Sequence, residues 1–308
     1  MMETIATKNN PLRRRKRKDA LFFASLVVLP LLQFALFYIC VNFNSILLAL
    51  KEYDALTGEM SWVGFANFKK FFYELTHTTL FTVAIRNSLV AWAVNMFVGI
   101  LLGMIFSYYI FKRMPMHGIF KVLLFLPSIV SSIVMVMVYR QFIEKGLTAF
   151  LGVFGVEKQG LLANPDTRFG AILFYNLWVG FGTQILMFLG AMNNISDSVL
   201  EAAKMDGASF FREFVFVVVP LVYPTFVVFV TVGVVQIFTN QLALYSFYGD
   251  AAELQDYTIG YYLYRGVQAG RNSDYPYLAA IGLLCTFVAI PVTFFVRFLL
   301  NRLGPGEE

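Results

Sequence analysis

The sequence predicts an all-α polytopic membrane protein with six transmembrane helices. Three observations lead to this fold class: the composition, six long uncharged apolar runs, and the placement of lysine and arginine. Of the 308 residues, 58% are hydrophobic and only 14% are charged, whereas about 25% are charged in ordinary soluble domains. A soluble globule of this size has too small an interior for that much apolar surface, so the composition indicates a bilayer as solvent.

A helix needs about 20 apolar residues to cross a hydrocarbon core about 30 Å thick. Six segments without a charged residue reach or approach that length, and the third is the shortest. They are residues 21–41, 87–111, 122–139, 169–192, 214–238 and 277–296. The chain is therefore expected to consist of a basic N-terminal tail, residues 1–20, and one transmembrane domain, residues 21–308.

The placement of cations predicts the orientation. Six consecutive cations, Arg13 to Lys18, precede the first apolar run. Such a cluster resists translocation, so both the amino terminus and, with six spans, the carboxyl terminus are expected in the cytoplasm. The segments expected inside hold 14 of the 24 lysines and arginines against 8 acids, and those expected outside hold 10 against 11 acids. The basic run is thus interpreted as a topology signal and the net charge of +5 is small, so we expect membrane lipid and no nucleic acid as a partner.

The sequence lacks the motifs of enzymes and of self-powered transporters. It contains no G-x-x-x-x-G-K-[ST] for ATP phosphates, no G-x-S-x-G or H-E-x-x-H, and no cluster with metal-ligand spacing. The apolar runs carry no ionisable group of the kind that proton- or sodium-coupled carriers need at membrane depth. We expect a non-catalytic chain that binds no metal or cofactor, with the energy for uphill transport supplied by another subunit.

Residues 193–213, between the fourth and fifth runs, carry the most specific pattern. They read NNISDSVLEAAKMDGASFFRE, which predicts a short helix, a turn at Gly207 and a second short helix. Ser198 and Glu201 have capping-box spacing. One face of the first helix is expected to hold Val199, Ala202, Ala203 and Asp206. An interfacial amphipathic hairpin, with Glu201 as a mere helix cap, is the alternative interpretation.

Several stretches resemble one family. Glu-Ala-Ala at 201–203, Asp-Gly-Ala at 206–208 and the prolines at 220 and 224 resemble the EAA loop of bacterial ATP-binding-cassette (ABC) importer permeases. WVGFANF at 62–68, RNSL at 86–89 and LLFLP at 123–127 are similar to further motifs of that family. The chain resembles in particular the first of the two unlike permease subunits of carbohydrate importers of the maltose and glycerol-phosphate type. This resemblance implies a type I ABC importer permease fold in a bacterial cytoplasmic membrane.

Three positions depart from the family pattern. Ser196 stands where the family has proline, Val219 where it has leucine, and Tyr248-Gly249-Asp250 where it often has Gly-Gly-Pro. The sequence does not identify the sugar.

The resemblance also implies roles for the loop. In the family this loop is a coupling helix that sits in a cleft of a cytoplasmic ATPase. Glu201 would then contact the rim of the cleft, Ala202 and Ala203 would pack into it with Asp206 on the same face, and Gly207 would form the elbow. Closure of the ATPase pair on ATP would switch the spans between inward-open and outward-open states.

Polar and aromatic side chains at mid-membrane are the candidates for lining a sugar path, since sugars stack on aromatic faces and need hydrogen-bond partners. The fourth run supplies Asn176, Trp178, Thr183 and Gln184, and the outer part of the fifth supplies Gln236, Phe238, Asn240 and Gln241. The resemblance adds Gly180 and supports Thr183, Phe238 and Asn240. For each residue, interhelical packing or hydrogen bonding is the alternative role.

The resemblance implies four kinds of partner: a second permease forming a heterodimer, two copies of an ATPase that uses ATP and Mg, an extracytoplasmic solute-binding protein, and the sugar. Residues 256–268, rich in tyrosine, are expected either to receive the binding protein or to form an interfacial aromatic belt. Other functions remain open: an importer of a polyol or glycerol phosphate, a stand-alone channel or secondary carrier, and a membrane enzyme. Co-purification with an ATPase and dependence on a binding protein distinguish them.

Overall fold

The computed structural model describes residues 11–155 and 159–305, mostly as helices. Residues 1–10 of the predicted basic tail lie outside the described residues. From Pro11 the backbone is helical, so the first helix begins inside the predicted tail. Hydropathy marks only the apolar part of a helix, whereas backbone hydrogen bonding continues into charged residues.

Helices are numbered here in chain order, and contiguous α- and π-helical turns count as one helix. Helix α1 comprises Pro11–Gln33, Phe34–Cys40 and Val41–Ala49; α2 is Ala66–His77, α3 is Thr79–Phe111, α4 is His117–Ile129, α5 is Ser132–Val153 and α6 is Pro165–Met192. Helix α7 is Asp197–Met205, α8 is Phe210–Thr239, α9 is Leu244–Tyr248, α10 is Ile259–Gln268 and α11 is Tyr275–Leu303. A 3-10 turn, Leu254–Asp256, precedes α10.

Five helices of the described chain are long and apolar enough to cross a bilayer: α1, α3, α6, α8 and α11. The first, second, fourth, fifth and sixth predicted runs fall within them. The structure differs at the third run, residues 122–139, which is not one continuous helix. Val130 and Ser131 are extended, with ψ of 146° and 134°, and α4 and α5 meet there at 113°. The described chain has a sixth span only if this bent pair crosses the membrane as one unit. The sequence does not reveal the bend, because hydropathy does not register a backbone break inside an apolar segment.

A small β-ribbon departs from the all-α prediction. Strands β1, Lys51–Tyr53, and β2, Met60–Trp62, pair antiparallel after α1. Asn67, at the start of α2, donates hydrogen bonds from Nδ2 to the carbonyls of Ala49 and Lys51 at 3.0 and 2.8 Å. The asparagine of the WVGFANF stretch thus fastens the ribbon and α2 to the end of α1.

Helices α3, α6 and α8 form the centre of the bundle. At Gly103 of α3, an added Cβ would lie 3.0 Å from the Cβ of Gln184 on α6, so the two helices touch where glycine leaves room. Two residues away on α6, on another side of the helix, an added Cβ at Gly182 would lie 2.6 Å from the Cβ of Ser128 on α4. By contrast, the apolar window of α1 has no buried residue within the chain, which suits contact with lipid or with another subunit.

Candidate functional site

Helix α7 and the start of α8 form a hairpin around Gly207. Gly207 has φ of +74°, and the amides of Gly207 and Ala208 donate to the carbonyls of Lys204 and Ala203, each at 3.0 Å. These two bonds satisfy the last carbonyls of α7 in the manner typical of a helix that ends on glycine. The predicted glycine turn is confirmed.

The second arm of the hairpin differs from the prediction. No separate short helix follows the turn; α8 starts at Phe210 and continues to Thr239 without interruption. A π-helical turn, Phe214–Val218, joins the arm to the apolar part. The hairpin is therefore a direct extension of a helix long enough to cross the membrane.

The predicted capping box is wrong. Helix α7 begins at Asp197 with Ser196 as its N-cap, so Ser198 lies inside the first turn, and no side chain makes a cap hydrogen bond there. The hydroxyls of Ser196 and Ser198 lie 3.1 Å apart instead. Three successive residues that favour N-cap positions left the start of the helix ambiguous in the sequence.

The predicted docking face is divided between two sides of α7. Glu201, Ala202 and Asp206 are exposed. Ala203, with 8% of its surface exposed, faces the interior beside Leu200. Because α7 also packs against the rest of the bundle, Ala203 points inward while Ala202 stays exposed. The linear motif does not reveal this division.

Two apolar side chains extend the exposed face. Val199 is 40% exposed and Met205 is 83% exposed, and they flank Ala202 at spacings of three residues. Met205 is absent from the sequence prediction, although its spacing from Ala202 is the signal that places it on this face. The free surface of α7 is thus a small apolar strip bordered by Glu201 and Asp206.

A cavity of about 290 Å³ lies between α3, α6 and α8. Its lining consists of Trp92, Asn95, Met96 and Ile100 from α3, Gly180, Thr183 and Gln184 from α6, and Phe229, Val230, Val232, Gly233 and Gln236 from α8. These lining residues include aromatic, amide and hydroxyl groups and no charged side chain.

Four of the nine predicted pathway residues line this cavity: Gly180, Thr183, Gln184 and Gln236. The other five, Asn176, Trp178, Phe238, Asn240 and Gln241, lie outside its lining. Trp178 and Phe238 pack against the hydrophobic core, and Asn176 and Asn240 make hydrogen bonds, which are the contacts of the alternative role. The buried Oε1 of Gln241 has no hydrogen-bond partner among the described residues.

Asn176 and Asn240 show why predicted residues lie outside the cavity lining. Asn176 Nδ2 donates to the carbonyls of Ile172 and Leu242 at 2.8 and 2.9 Å, and Asn240 Oδ1 accepts from the Leu242 amide at 2.8 Å. Helix α8 ends at Thr239, and the next residue, Asn240, is extended with ψ of 116°. The chain leaves the helical direction there, so residues after Thr239 no longer continue the cavity face of α8.

Trp92 and Asn95 are the lining residues with polar groups that sequence reasoning missed. They lie one turn apart in an apolar run, which is the signal that could have found them. Gln184 is 6% exposed and donates from Nε2 to Asn95 Oδ1 at 3.1 Å. Its Oε1 and the Trp92 Nε1 have no hydrogen-bond partner among the described residues. A cavity with these groups is suited to a neutral ligand rich in hydroxyls.

At the end of the bundle opposite the hairpin, a buried ion pair fixes the start of α6. Arg168 Nη1 lies 3.2 Å from Asp256 Oδ2 and 2.6 Å from Glu253 Oε1. Asp256 is 1% exposed, and burial raises the pKa of its carboxyl although Arg168 opposes that shift. The pair fastens the 3-10 turn to α6.

The tyrosines of segment 256–268 mostly face inward. Tyr257 and Tyr261 are buried, Tyr262 is half-buried against Phe81, and Tyr264 is 38% exposed. Tyr261 donates its hydroxyl to the Gly249 carbonyl at 2.6 Å, and Gly249 has φ of +56°. Segment 256–268 therefore holds the turn Tyr248-Gly249-Asp250, which stands where the family often has Gly-Gly-Pro. Most of the tyrosine rings in this segment do not form an interfacial aromatic belt.

Comparison with known proteins identifies the class. Residues 95–307 match the family described as "Binding-protein-dependent transport system inner membrane component". Because the match covers well over half of the chain, the chain belongs to this family, and the predicted family resemblance is confirmed. It is a membrane component of a transport system.

Relatives and solved structures extend over nearly the whole chain. The arabinooligosaccharides transport system permease protein AraP of Halalkalibacterium halodurans is 24% identical, over 96% of this chain and 95% of the relative. The diacetylchitobiose uptake system permease protein NgcF of Streptomyces coelicolor is 23% identical, over 99% and 90%. A chain of a bacterial ABC transporter that imports the acidic polysaccharide alginate has the same fold, with a TM-score of 0.76, 21% identity and coverage of 96% and 99%.

Proposed function

We propose that this chain is a permease subunit of an ATP-driven, binding-protein-dependent importer of a neutral sugar or oligosaccharide. The observation that carries the proposal is the uncharged amide and aromatic lining of the cavity between α3, α6 and α8. Sugar hydroxyls pair with amides, and sugar rings stack on rings such as Trp92 and Phe229. The relatives named above are permeases for oligosaccharides, which supports the same class of solute.

The hairpin is the proposed contact with the motor. Val199, Ala202 and Met205 would enter a cleft of a cytoplasmic ATPase, with Glu201 and Asp206 at its rim and Gly207 as the elbow. ATP and Mg would be bound and used by two copies of that ATPase. This assignment places the hairpin and both termini in the cytoplasm, with α4 and α5 together forming the third of six spans.

Helix α8 links the hairpin to the cavity. It begins at Phe210 in the hairpin and carries Gly233 and Gln236 in the cavity wall, a path of about 40 Å at 1.5 Å per residue. Pro224 lies inside this helix, where it removes one backbone hydrogen bond and permits bending. Movement of the hairpin would therefore shift one wall of the cavity.

The remaining partners follow from the incomplete pathway. A second permease would supply the facing half of the route. A solute-binding protein would dock at the end opposite the hairpin, where a groove of about 490 Å³ is lined by charges of both signs, among them Lys70, Glu74, Arg265 and Arg271. Such mixed charge favours a reversible polar contact. Glycerol phosphate is disfavoured as the solute because the cavity lining contains no cation.

The test is uptake by the complete transporter in proteoliposomes, with labelled arabino-oligosaccharides, galacto-oligosaccharides and diacetylchitobiose as probes. ATP- and binding-protein-dependent accumulation of a neutral saccharide is expected. Gln184→Leu should lower the uptake rate about tenfold, because a sugar hydroxyl then loses its amide partner, whereas Gln141→Leu, outside this cavity, should not. Import of a charged solute alone, or uptake independent of ATP, contradicts the proposal.

A further inference from the structure

The hairpin is fastened to α3 by a buried ion pair that none of the roles assigned above uses. Glu213, in the first turn of α8, is 3% exposed. Lys112 Nζ donates to both of its carboxylate oxygens, at 2.8 and 3.0 Å. Lys112 directly follows the last residue of α3, so the bond joins two helices across 101 positions of sequence.

A tyrosine completes the contact. The Tyr108 hydroxyl lies 3.1 Å from Glu213 Oε1 and 3.2 Å from the Phe210 carbonyl, and Tyr108 is 1% exposed. Its ring packs between Phe210 and Phe214, with ring centroids 4.7 and 4.8 Å away. The carboxylate thus has a cation and a hydroxyl as partners inside an aromatic shell, where separating the charges would leave one of them buried and uncompensated.

The two joined helices are two of the three walls of the cavity. Asn95 and Trp92 stand on α3, and Gly233 and Gln236 stand on α8. The ion pair of Lys112 and Glu213 therefore constrains both walls at the hairpin end, about 18 to 35 Å from the lining residues at 1.5 Å per residue. Without it, movement of the hairpin would act on α8 alone.

We infer that Glu213, Lys112 and Tyr108 form a coupling strut, through which movement of the hairpin displaces α3 and α8 as one body. Glu213 and Lys112 are positioning residues, since neither lies in the lining of the cavity nor on the exposed face of α7. This inference rests on the proposed function, because it presumes that the hairpin is moved by a motor.

Charge exchange tests the strut. Lys112→Glu and Glu213→Lys each place like charges at the joint, and the double variant restores an opposite pair. In the assembled transporter with ATP and the saccharide panel above, each single variant should lower binding-protein-stimulated ATP hydrolysis and uptake about tenfold. The double variant should recover most of both activities. Lys121→Glu, an exposed charge reversal on α4, is the matched control and should have no effect. Single variants that assemble and transport normally overturn the strut.

A distance measurement removes the dependence on transport. Spin labels at Met205→Cys on α7 and Ile105→Cys on α3, with Cys40 and Cys285 replaced by alanine, report the separation of hairpin and α3 in the full-length chain in nanodiscs. The wild-type background should give one narrow distance, and Glu213→Gln, which keeps the side-chain shape, should broaden it. Equal widths overturn the strut even if the single charge variants fail to fold. Failure of the proposed function appears separately, as a wild-type chain that neither joins an ATPase nor imports a saccharide.

Discussion

Both ends of the bundle are held by a buried ion pair, but the two pairs join different kinds of structure. At the hairpin end, Glu213 and Lys112 join one long helix to another. At the opposite end, Arg168 joins α6 to a 3-10 turn through Asp256, and it also reaches Glu253, whose side chain is 55% exposed. A joint between two helices transmits displacement, whereas a joint between a helix and a turn fixes the position of a loop.

The aromatic surroundings reinforce the difference. Tyr108 packs between two phenylalanines at the hairpin end. At the opposite end, the guanidinium carbons of Arg140 and Arg168 lie 5.8 and 5.9 Å from the ring centroid of Tyr248, so two cations lie beside one aromatic ring. The ion pair next to the proposed motor is thus enclosed by aromatic rings, whereas the ion pair next to the proposed binding protein lies beside a further cation.

The largest expected effect tests the hairpin end. Gly207→Asp should abolish uptake while the chain still inserts in the membrane, because a side chain at φ of +74° strains the turn and redirects α7. Glu201→Lys should do the same by reversing the charge at the proposed cleft rim. Uptake and membrane protein level are measured together. Gly118→Ala, at a glycine without positive φ and with open space around it, is the control. Normal uptake by both hairpin variants would remove the basis for assigning motor contact to this end.

A smaller effect is expected at the opposite end. Arg168→Met leaves the buried carboxylate of Asp256 without its cation, so we expect a loss of about 3 kcal/mol or more in the free energy of unfolding. Denaturation in mild detergent, followed by tryptophan fluorescence, measures it. Arg271→Met, which removes an exposed cation from the same end, should change stability little. If Arg168→Met unfolds like the wild type, the two ends are not held by comparable joints.

The smallest expected effect is on the pH dependence of the free energy of unfolding. Burial raises the pKa of Asp256 above its ordinary value of 3.8, so in the window between that value and the raised pKa the folded state binds more protons than the unfolded state. Stability contributed by this group therefore rises as pH falls through the raised pKa towards 3.8. Asp256→Asn should abolish this part of the pH dependence, as measured by unfolding at a series of pH values. If Asp256→Asn and the wild type show the same pH dependence of unfolding, the pKa of Asp256 does not differ between the folded and unfolded states.

The hairpin could be predicted from the sequence more completely than the cavity. The turn at Gly207 is predictable because a glycine that follows a short helical pattern has a local conformational meaning. Sequence reasoning misses Trp92 and Asn95 because their spacing of one turn places them on one helix face but does not show whether that face borders a cavity or another helix. Asn176 illustrates the converse, since its amide is used by the Leu242 carbonyl from a distant loop.

Composition, uncharged runs and the EAA pattern establish the membrane class, most of the long helices, the glycine turn and the family, because each depends on residues close together in the chain. The bend between α4 and α5, the inward side of Ala203, the ion pair of Glu213 with Lys112 and the set of residues that line the cavity depend on contacts between segments, some of them more than a hundred residues apart. Such contacts are fixed by how the helices pack against one another, and that packing leaves no periodic trace in any one of them.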